Sequence, residues 1–345
     1  MAGCDYANAR VKGMKGRLLG HKGILELLAQ PGLTARLDFL MKTDYGDALA
    51  PYLGRVSDPL QGAERGLRVK LTDDLIRIDR FLRGERVRSL LRAILAFEDG
   101  WNLKTILRGT VRGEPPERTF LLLVPTPGLD ERGLQELVGQ REVKGVVDLL
   151  ATWRSPHALP LQEALPAYQR RRDLLSLEVA LDRCLFTQAL EAARRDGEDG
   201  RILLGFLKAQ IDLANAGTLL KLAGVGGGQE FFIPGGRLMS ADRFRQCAVL
   251  GEPELRETLA REGRRYFASG AITMRKLGDP FMADQLLHRA LGEAMRREAR
   301  VHPLSLAVPL AFMLERQAEV RRIRLVLRAT EFGLPADELL DLIER

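Results

Sequence analysis

The residues of this chain whose types and spacing could do chemistry are three aspartate–asparagine pairs. The 345-residue sequence contains only three asparagines, and each follows an aspartate by three positions. The pairs are Asp5 with Asn8, Asp99 with Asn102 and Asp212 with Asn215. A carboxylate beside an amide can serve catalysis, but it can equally hold backbone groups by hydrogen bonds. Because residues i and i+3 are neighbours on a helix, the two members of a pair can share a hydrogen bond. A buried amide where two helices cross can also satisfy backbone groups near the glycine-rich turn that follows.

Recognised catalytic and cofactor motifs are absent from the sequence. No Gly-Lys dipeptide occurs, which excludes a phosphate-binding GxxxxGK[ST] loop. The glycine-rich segment 224–236 has Gln229 where a dinucleotide fingerprint needs its last glycine, and it follows a helical pattern rather than a strand. The histidines show neither HExxH spacing nor a nearby cysteine for zinc, and no serine lies in GxSxG. We therefore expect no enzymatic activity, no cofactor, no metal and no small-molecule substrate.

Composition favours a helical protein that does not span a membrane. Leucine, alanine, arginine and glutamate abound while aromatic residues make up only 6%, which suits helix better than sheet. The three cysteines are far apart, which indicates a reduced, intracellular protein. No apolar run reaches the ~18 residues of a membrane helix, and the N-terminus does not read as a signal peptide. We expect a soluble or at most peripheral protein.

The positive charge leaves nucleic acid open as a partner. Lysine and arginine number 53 against 46 acidic residues, a net charge of +7. The runs Arg170–Arg172 and Arg321–Arg324 could meet phosphates. However, each run stands beside acids or an apolar stripe, and no aromatic residues interleave to stack on bases. A charged helix face is the simpler interpretation, and a basic all-α module that binds nucleic acid is the alternative.

The asparagine segments belong to a longer repeated pattern. After Asn102 and after Asn215, apolar residues stand at +1, +4 and +5 and a basic residue at +6, so that the apolar ones share one helical face. A third copy is centred on Arg322, with Glu319 three residues earlier, and the segment at Asn8 is a partial copy. Each of the three full copies is followed by a glycine/proline turn and an amphipathic helix.

This pattern predicts three helical modules and a structural role for the repeated residues. The modules are placed at about 1–110, 111–222 and 223–345, with the N- and C-terminal helices packing together. A feature that recurs in every module, with a glutamate–arginine pair in place of aspartate and asparagine in the third, is typical of a structural role rather than of an active site. We expect these residues to form a latch between helices, with partner contact as the second interpretation. The candidates are Asp5, Asn8, Asp99, Asn102, Asp212, Asn215, Glu319 and Arg322.

Five segments in order give the chain a family resemblance. They are YANARVKGMKGRLL (6–19), DGWNLKTILRG (99–109), DLANAGTLLK (212–221), FFIPGGRLMSADRF (231–244) and LERQAEVRRIRLVLRATEFGLPADELLDLI (314–343). Together they resemble the C subunit of the V/A-type ATPases and ATP synthases, whose eukaryotic vacuolar relative is the d subunit. One departure is Arg322, where the family usually has another asparagine.

The resemblance implies a fold, a place and partners. The fold is an all-α, funnel-shaped protein of three similar domains around a pseudo-threefold axis. The place is the cytoplasmic face of the cell membrane, where the protein is peripheral and non-catalytic. It joins the axle, made of the D and F subunits, to the proteolipid rotor ring, linking ATP synthesis or hydrolysis to H⁺ or Na⁺ translocation, and it binds no nucleic acid. Basic residues near the repeated helices are expected to contact these partners: Arg10, Arg17, Lys104, Arg108, Lys221 and Arg328.

Overall fold

The computed structural model describes residues 3–54, 58–194, 197–223, 228–266, 280–331 and 333–334. Of residues 221, 263–266 and 280–287 it describes the backbone alone. Within these ranges the chain forms α-helices and one 3₁₀ turn, without a strand, which confirms the all-α class.

Sixteen α-helices are found in the described part of the chain. The first six are α1 (Asp5–Lys15), α2 (Gly20–Leu28), α3 (Gly32–Met41), α4 (Gly46–Leu53), α5 (Pro59–Phe81) and α6 (Glu85–Arg112). The next six are α7 (Pro116–Leu121), α8 (Glu131–Val138), α9 (Val143–Thr152), α10 (Ala158–Arg171), α11 (Leu175–Arg194) and α12 (Glu198–Leu222). The last four are α13 (Ala241–Ala248), α14 (Glu252–Tyr266), α15 (Pro280–Val301) and α16 (Ala307–Glu331).

The helices recur in a fixed order of lengths. A short helix of 8 or 9 residues opens each series, as α2, α8 and α13. Two long helices close it: α5 and α6 with 23 and 28 residues, α11 and α12 with 20 and 25, and α15 and α16 with 22 and 25. The final long helix of each series carries one copy of the repeated sequence pattern.

The first of two compact units holds both ends of the chain. It consists of the described residues within Met1–Arg83, Trp101–Arg141 and Pro309–Arg345. Its main core joins α2 to α5 with α16, so that apolar side chains from residues 24–67 meet those from residues 320–329. Gly66 permits this packing, because a Cβ at that position would lie 2.8 Å from the carbonyl oxygen of Ala48 on α4.

The second unit is built around the long helix α12. It consists of the described residues within Gly84–Gly100 and Glu142–Val308. In it α12 packs against α11, α13, α14 and α15. The apolar stripe predicted on α11 faces this core, since Leu181, Leu185 and Ala189 are buried while Cys184 is only partly so.

Candidate functional site

Asn215 holds the backbone of a residue 18 positions later. Its side-chain amide donates to the carbonyl oxygen of Ile233 at 2.8 Å, and the N–H of Ile233 donates back to the side-chain oxygen at 2.9 Å. The asparagine is fully buried, and Ile233 is 6% exposed. A side-chain amide carries a donor and an acceptor side by side, so that it can pair with both backbone groups of one residue. Asn215 therefore satisfies both backbone groups of a buried residue outside any helix.

Asp212 holds the same segment four residues further along. Its carboxylate accepts from the N–H groups of Arg237 at 2.9 Å and Leu238 at 3.1 Å. Burial raises the pKa of this carboxyl above its ordinary value, although the backbone donors act in the opposite direction. Gly236 permits the approach, because a Cβ there would lie 2.1 Å from the Asp212 Oδ1 atom. Asp212 and Asn215 thus both bond the segment that follows their helix, although their spacing would also allow a bond within the pair.

Asn102 on α6 repeats the arrangement of Asn215. Its amide donates to the carbonyl oxygen of Val124 at 2.7 Å, and the Val124 N–H donates back at 3.1 Å. Asn102 is fully buried and Val124 is 2% exposed. Val124 precedes a proline, as Ile233 does. The two copies therefore hold equivalent segments, one leading to α8 and the other to α13.

The copy on α16 achieves a similar result with a different side chain. Glu319 accepts from the N–H of Gly20, the first residue of α2, at 2.9 Å. The Tyr45 hydroxyl donates to the same carboxylate at 2.7 Å. Arg322 is exposed, and the bond to the Gly20 backbone comes from Glu319, at the acidic position of the pattern.

The remaining predicted latch residues occupy two environments. Asn8 is buried in α1 and Asp99 is buried in α6, whereas Asp5 is exposed at the start of α1. Exposure of Asp5 and Arg322 sets these two apart from the buried candidates. The latch role stays a prediction until stability is measured.

A buried ionic network surrounds Arg316, a residue that the sequence reasoning missed. Its guanidinium lies 2.6 Å from Asp44, 3.0 Å from Asp74 and 3.4 Å from Glu319. Lys70 adds ion pairs to Asp44 at 2.9 Å and to Asp74 at 3.2 Å. The Arg316 side chain is 1% exposed and the most exposed partner, Asp44, is 13% exposed. The network joins α16 to α5 and to the turn before α4.

Burial and the neighbouring groups together shift the pKa values of Arg316 and Tyr45. Burial by itself would lower the pKa of Arg316, but Tyr45, Asp74 and Glu319 outweigh it and raise that pKa. Burial, and then the charge of Glu319, raise the pKa of Tyr45, so its hydroxyl remains a donor. The sequence did carry a signal: Phe312, Arg316, Val320 and Ile323 form one stripe on α16, and a charge within such a stripe must be paired.

The described residues contain neither a metal cluster nor a membrane-spanning helix. Among them, no three or more histidine, cysteine, aspartate or glutamate side chains are placed together to hold a metal ion. None of the helices described is long and apolar enough to cross a membrane. Residues 224–227 of the glycine-rich segment lie outside the described part of the chain.

Comparison with known proteins settles the family. The sequence matches the family described as "ATP synthase (C/AC39) subunit" over residues 7–342. The chain belongs to this family. Among its relatives is the C subunit of the V-type ATP synthase of Thermus thermophilus, which is 30% identical over 96% of this chain and 95% of the relative.

Two archaeal members of the family show the same end-to-end similarity. The C subunit of the A-type ATP synthase of Halorubrum lacusprofundi is 27% identical over 97% of this chain and 95% of the relative. The corresponding protein of Thermococcus onnurineus is 26% identical over 98% of this chain and 89% of the relative. The predicted family is therefore confirmed over almost the whole length.

The six basic residues predicted to contact partners of this family member lie on several elements. On α1, Arg10 is exposed over the ring of Phe81, at 5.0 Å from its centroid. Past α1, Arg17 lies 3.6 Å from Asp44. The other four are on the repeated helices: Lys104 is half-buried, Arg108 and Arg328 are exposed, and the Lys221 side chain lies outside the described residues.

Proposed function

We propose that this chain is the non-catalytic central-stalk component that joins the D–F axle to the membrane rotor ring of a V/A-type ATPase or ATP synthase. In this role it links ATP synthesis or hydrolysis to H⁺ or Na⁺ translocation from the cytoplasmic face of the cell membrane, as a peripheral protein. The observation that carries the proposal is the family match over residues 7–342. Relatives of nearly equal length are named as the C subunit of such a synthase.

The repeated helix order supports the predicted arrangement of three domains around a pseudo-threefold axis. Asn102 holds the segment before α8, and Asn215 holds the segment before α13. Glu319 on α16 holds the first residue of α2, the short helix that opens the first series, so the third series connects back to the first. Two equivalent steps and a third, analogous one that leads back to the first short helix are what a closed threefold arrangement requires. A funnel of three such modules is our proposal for the whole molecule.

A protein that transmits torque must resist twisting between its helices. The reciprocal amide bonds at Asn102 and Asn215 fix the segments that lead into the next short helix. In the first unit, the Arg316 network ties α16 to α5 and to the turn before α4. Breaking a hydrogen bond to buried backbone, or a buried ion pair, leaves buried polar groups without partners. That cost makes these connections stiff.

Binding to the axle tests the proposal. We would titrate the D–F pair made from the same genome into the full chain by calorimetry, at low and at moderate salt. Duplex DNA of mixed sequence is the second titrant. Saturable binding to the axle pair without binding to DNA is the expected result.

Nucleic acid binding is the outcome that would replace the proposal. If DNA alone binds, and its affinity falls steeply as salt rises, counterion release identifies a nucleic-acid protein. The arginine run at 170–172 would then be the first place to look for the contact.

A further inference from the structure

A small cavity lies between α1 and α5 in the first unit. Its volume is about 130 Å³, which is room for several water molecules or for one small polyatomic ion. Three of the residues that line it are arginines, Arg10, Arg17 and Arg77, and all three are exposed. Gly13 and Phe81 line it as well, and no carboxylate is among the described residues around it. The cavity is therefore reachable from solvent and surrounded by positive charge.

Gly13 keeps the middle of this cavity open. Arg10 and Arg17 are seven residues apart, so they lie two helical turns apart on one side of α1 and of the turn that follows it, with Gly13 between them. A Cβ at Gly13 would meet nothing within 4 Å, so packing does not require a glycine at this position. The missing side chain leaves space between the two arginines, and Arg77 borders that space from α5.

Two of the three guanidinium groups have hydrogen-bond donors to spare. Arg10 lies over the Phe81 ring, 5.0 Å from its centroid, and its guanidinium is bonded to no oxygen atom of the described residues. Because an aromatic ring attracts a guanidinium without giving it an oxygen acceptor, the N–H donors of Arg10 remain for an anion. Arg77 is attracted to Asp73, one turn earlier on α5, but its guanidinium makes no hydrogen bond or ion pair with any described residue.

Arg17 adds a third cation, which its carboxylate neighbour does not need. Its guanidinium lies 3.6 Å from an Asp44 oxygen, which is longer than a hydrogen bond. The same carboxylate accepts a hydrogen bond from Arg316 at 2.6 Å and pairs with Lys70 at 2.9 Å. Asp44 is therefore neutralised within the buried network, whereas the Arg17 side chain is 56% exposed.

We infer that this cavity binds a phosphate group, held by Arg10 and Arg77 with Arg17 as the third cation. Three guanidinium groups around one space repel one another until an anion enters it. A phosphate group carries more than one negative charge at neutral pH and has at least three acceptor oxygens, so each arginine can bond to an oxygen of its own. A single carboxylate has one charge and only two oxygens to share among them.

The phosphate group has two possible sources, the free ion and the headgroup of an anionic lipid. Both present the same chemistry to the arginines, and the experiments below distinguish them. The inference goes beyond the proposed function and does not depend on it, because it rests on the cavity and its three cations alone.

Calorimetry of the full chain with inorganic phosphate tests the arginines, at neutral pH and low ionic strength. Arg10→Gln with Arg77→Gln is compared with Arg112→Gln with Arg118→Gln, an equal loss of charge at exposed positions of α6 and α7. Two lost guanidinium contacts should weaken phosphate binding by about tenfold or more. The control should bind within about twofold of the unaltered chain. Acetate, as the carboxylate titrant, should bind the unaltered chain at least about tenfold more weakly than phosphate.

Gly13→Leu tests the cavity without changing any charge. A side chain at this exposed position of α1 meets no neighbour, and glycine is a weak helix former, so the variant should be at least as stable as the unaltered chain. The leucine would fill the space between the arginines and should weaken phosphate binding by about fivefold or more. Gly13→Ala is the matched control and should bind within about twofold of the unaltered chain. Undiminished binding to Gly13→Leu would show that diffuse surface charge attracts phosphate, and it would overturn the site.

Vesicles separate the two sources of the phosphate group. Phosphatidylcholine vesicles that contain phosphatidic acid are compared with phosphatidylcholine alone in sedimentation with the full chain. If the chain binds the phosphatidic acid vesicles, and Arg10→Gln with Arg77→Gln loses this binding while the control keeps it, the ligand is a lipid headgroup. If inorganic phosphate alone binds, with the same dependence on the two arginines, the ligand is the free ion. Binding of neither by the unaltered chain, or equal binding by the two double variants, would overturn the inference.

Discussion

Replacing Asn102 with leucine removes a buried pair of hydrogen bonds while keeping the volume of the side chain. The two bonds to Val124, at 2.7 and 3.1 Å, are lost together. Val124 is 2% exposed, so its N–H and carbonyl groups remain buried without these partners. Each such group costs about 1–3 kcal/mol when it is left unsatisfied. Partial relaxation toward water reduces the sum, and we expect Asn102→Leu to lower the free energy of unfolding by about 2–4 kcal/mol.

Asn102→Asp is the matched control, because it keeps the shape and changes only the donor. An ionised aspartate still accepts from the Val124 N–H but faces the Val124 carbonyl without a hydrogen to donate. A protonated aspartate restores that donor. Burial and the facing carbonyl should raise the pKa of this carboxyl in the folded state. Its stabilising contribution is then complete at pH values below the unfolded pKa of about 3.9 and is lost as the pH rises through the folded pKa.

Urea unfolding followed by circular dichroism measures both variants between about pH 4 and pH 7. Hydrogen exchange of the Val124 amide reports the same bond directly and should accelerate in Asn102→Leu. Stabilities within about 0.5 kcal/mol of the unaltered chain for both variants would refute the latch. A penalty for Asn102→Asp that is the same at every pH would show that the donor to Val124 is irrelevant.

Three further perturbations test the close contacts of the fold. In thermal melts, Gly236→Ala should lower stability by about 1–3 kcal/mol, because its Cβ would lie 2.1 Å from the Asp212 carboxylate. Gly292→Ala in α15 is the control: its Cβ would meet nothing within 4 Å, so this variant should be neutral or stabilising. Arg316→Ala should cost about 3–5 kcal/mol in urea unfolding, since it leaves buried carboxylates unpaired; a loss under about 1 kcal/mol would contradict the network. Burial alone would raise the pKa of Asp44, but Lys70 and Arg316 hold that pKa below its ordinary value. The stabilisation that the Asp44 carboxylate contributes is therefore present above the unfolded pKa and is lost as the pH falls through the folded pKa. The difference in stability between Asp44→Asn and the unaltered chain should accordingly shrink on acidification.

The sequence predicts the helices and the residues of the repeat better than it predicts their bonding partners. Helical periodicity and the recurrence of Asn102 and Asn215 are local patterns, and they identify two fully buried amides. Their partners, Val124 and Ile233, lie 22 and 18 residues away in segments with no regular structure, so no helical rule connects them. The i, i+3 rule allows a bond between Asp212 and Asn215, and it does not reveal that both side chains bond the later segment.

The Arg316 network is beyond the reach of local patterns. It brings Arg316 within 2.6 Å of a residue 272 positions earlier in the chain. Only packing of α16 against α5 and the turn before α4 creates that contact. The sequence carries one usable signal, an arginine in an apolar helical stripe, and it identifies a buried charge without identifying what pairs with it.

The composition of the first unit's core determines when this protein can finish folding during synthesis. That core requires Val320 and Ile323 of α16 as well as the apolar side chains of α2 to α5. Roughly 250 residues separate Leu67 from Val320 (320 − 67 = 253), which at about 5–20 residues per second corresponds to a delay of some 10–50 seconds. During that interval α2 to α5 expose an apolar surface that only the end of the chain covers. A chain that stops before α16 should therefore be recognised by chaperones and proteases as incomplete, so that only full-length copies remain available for assembly.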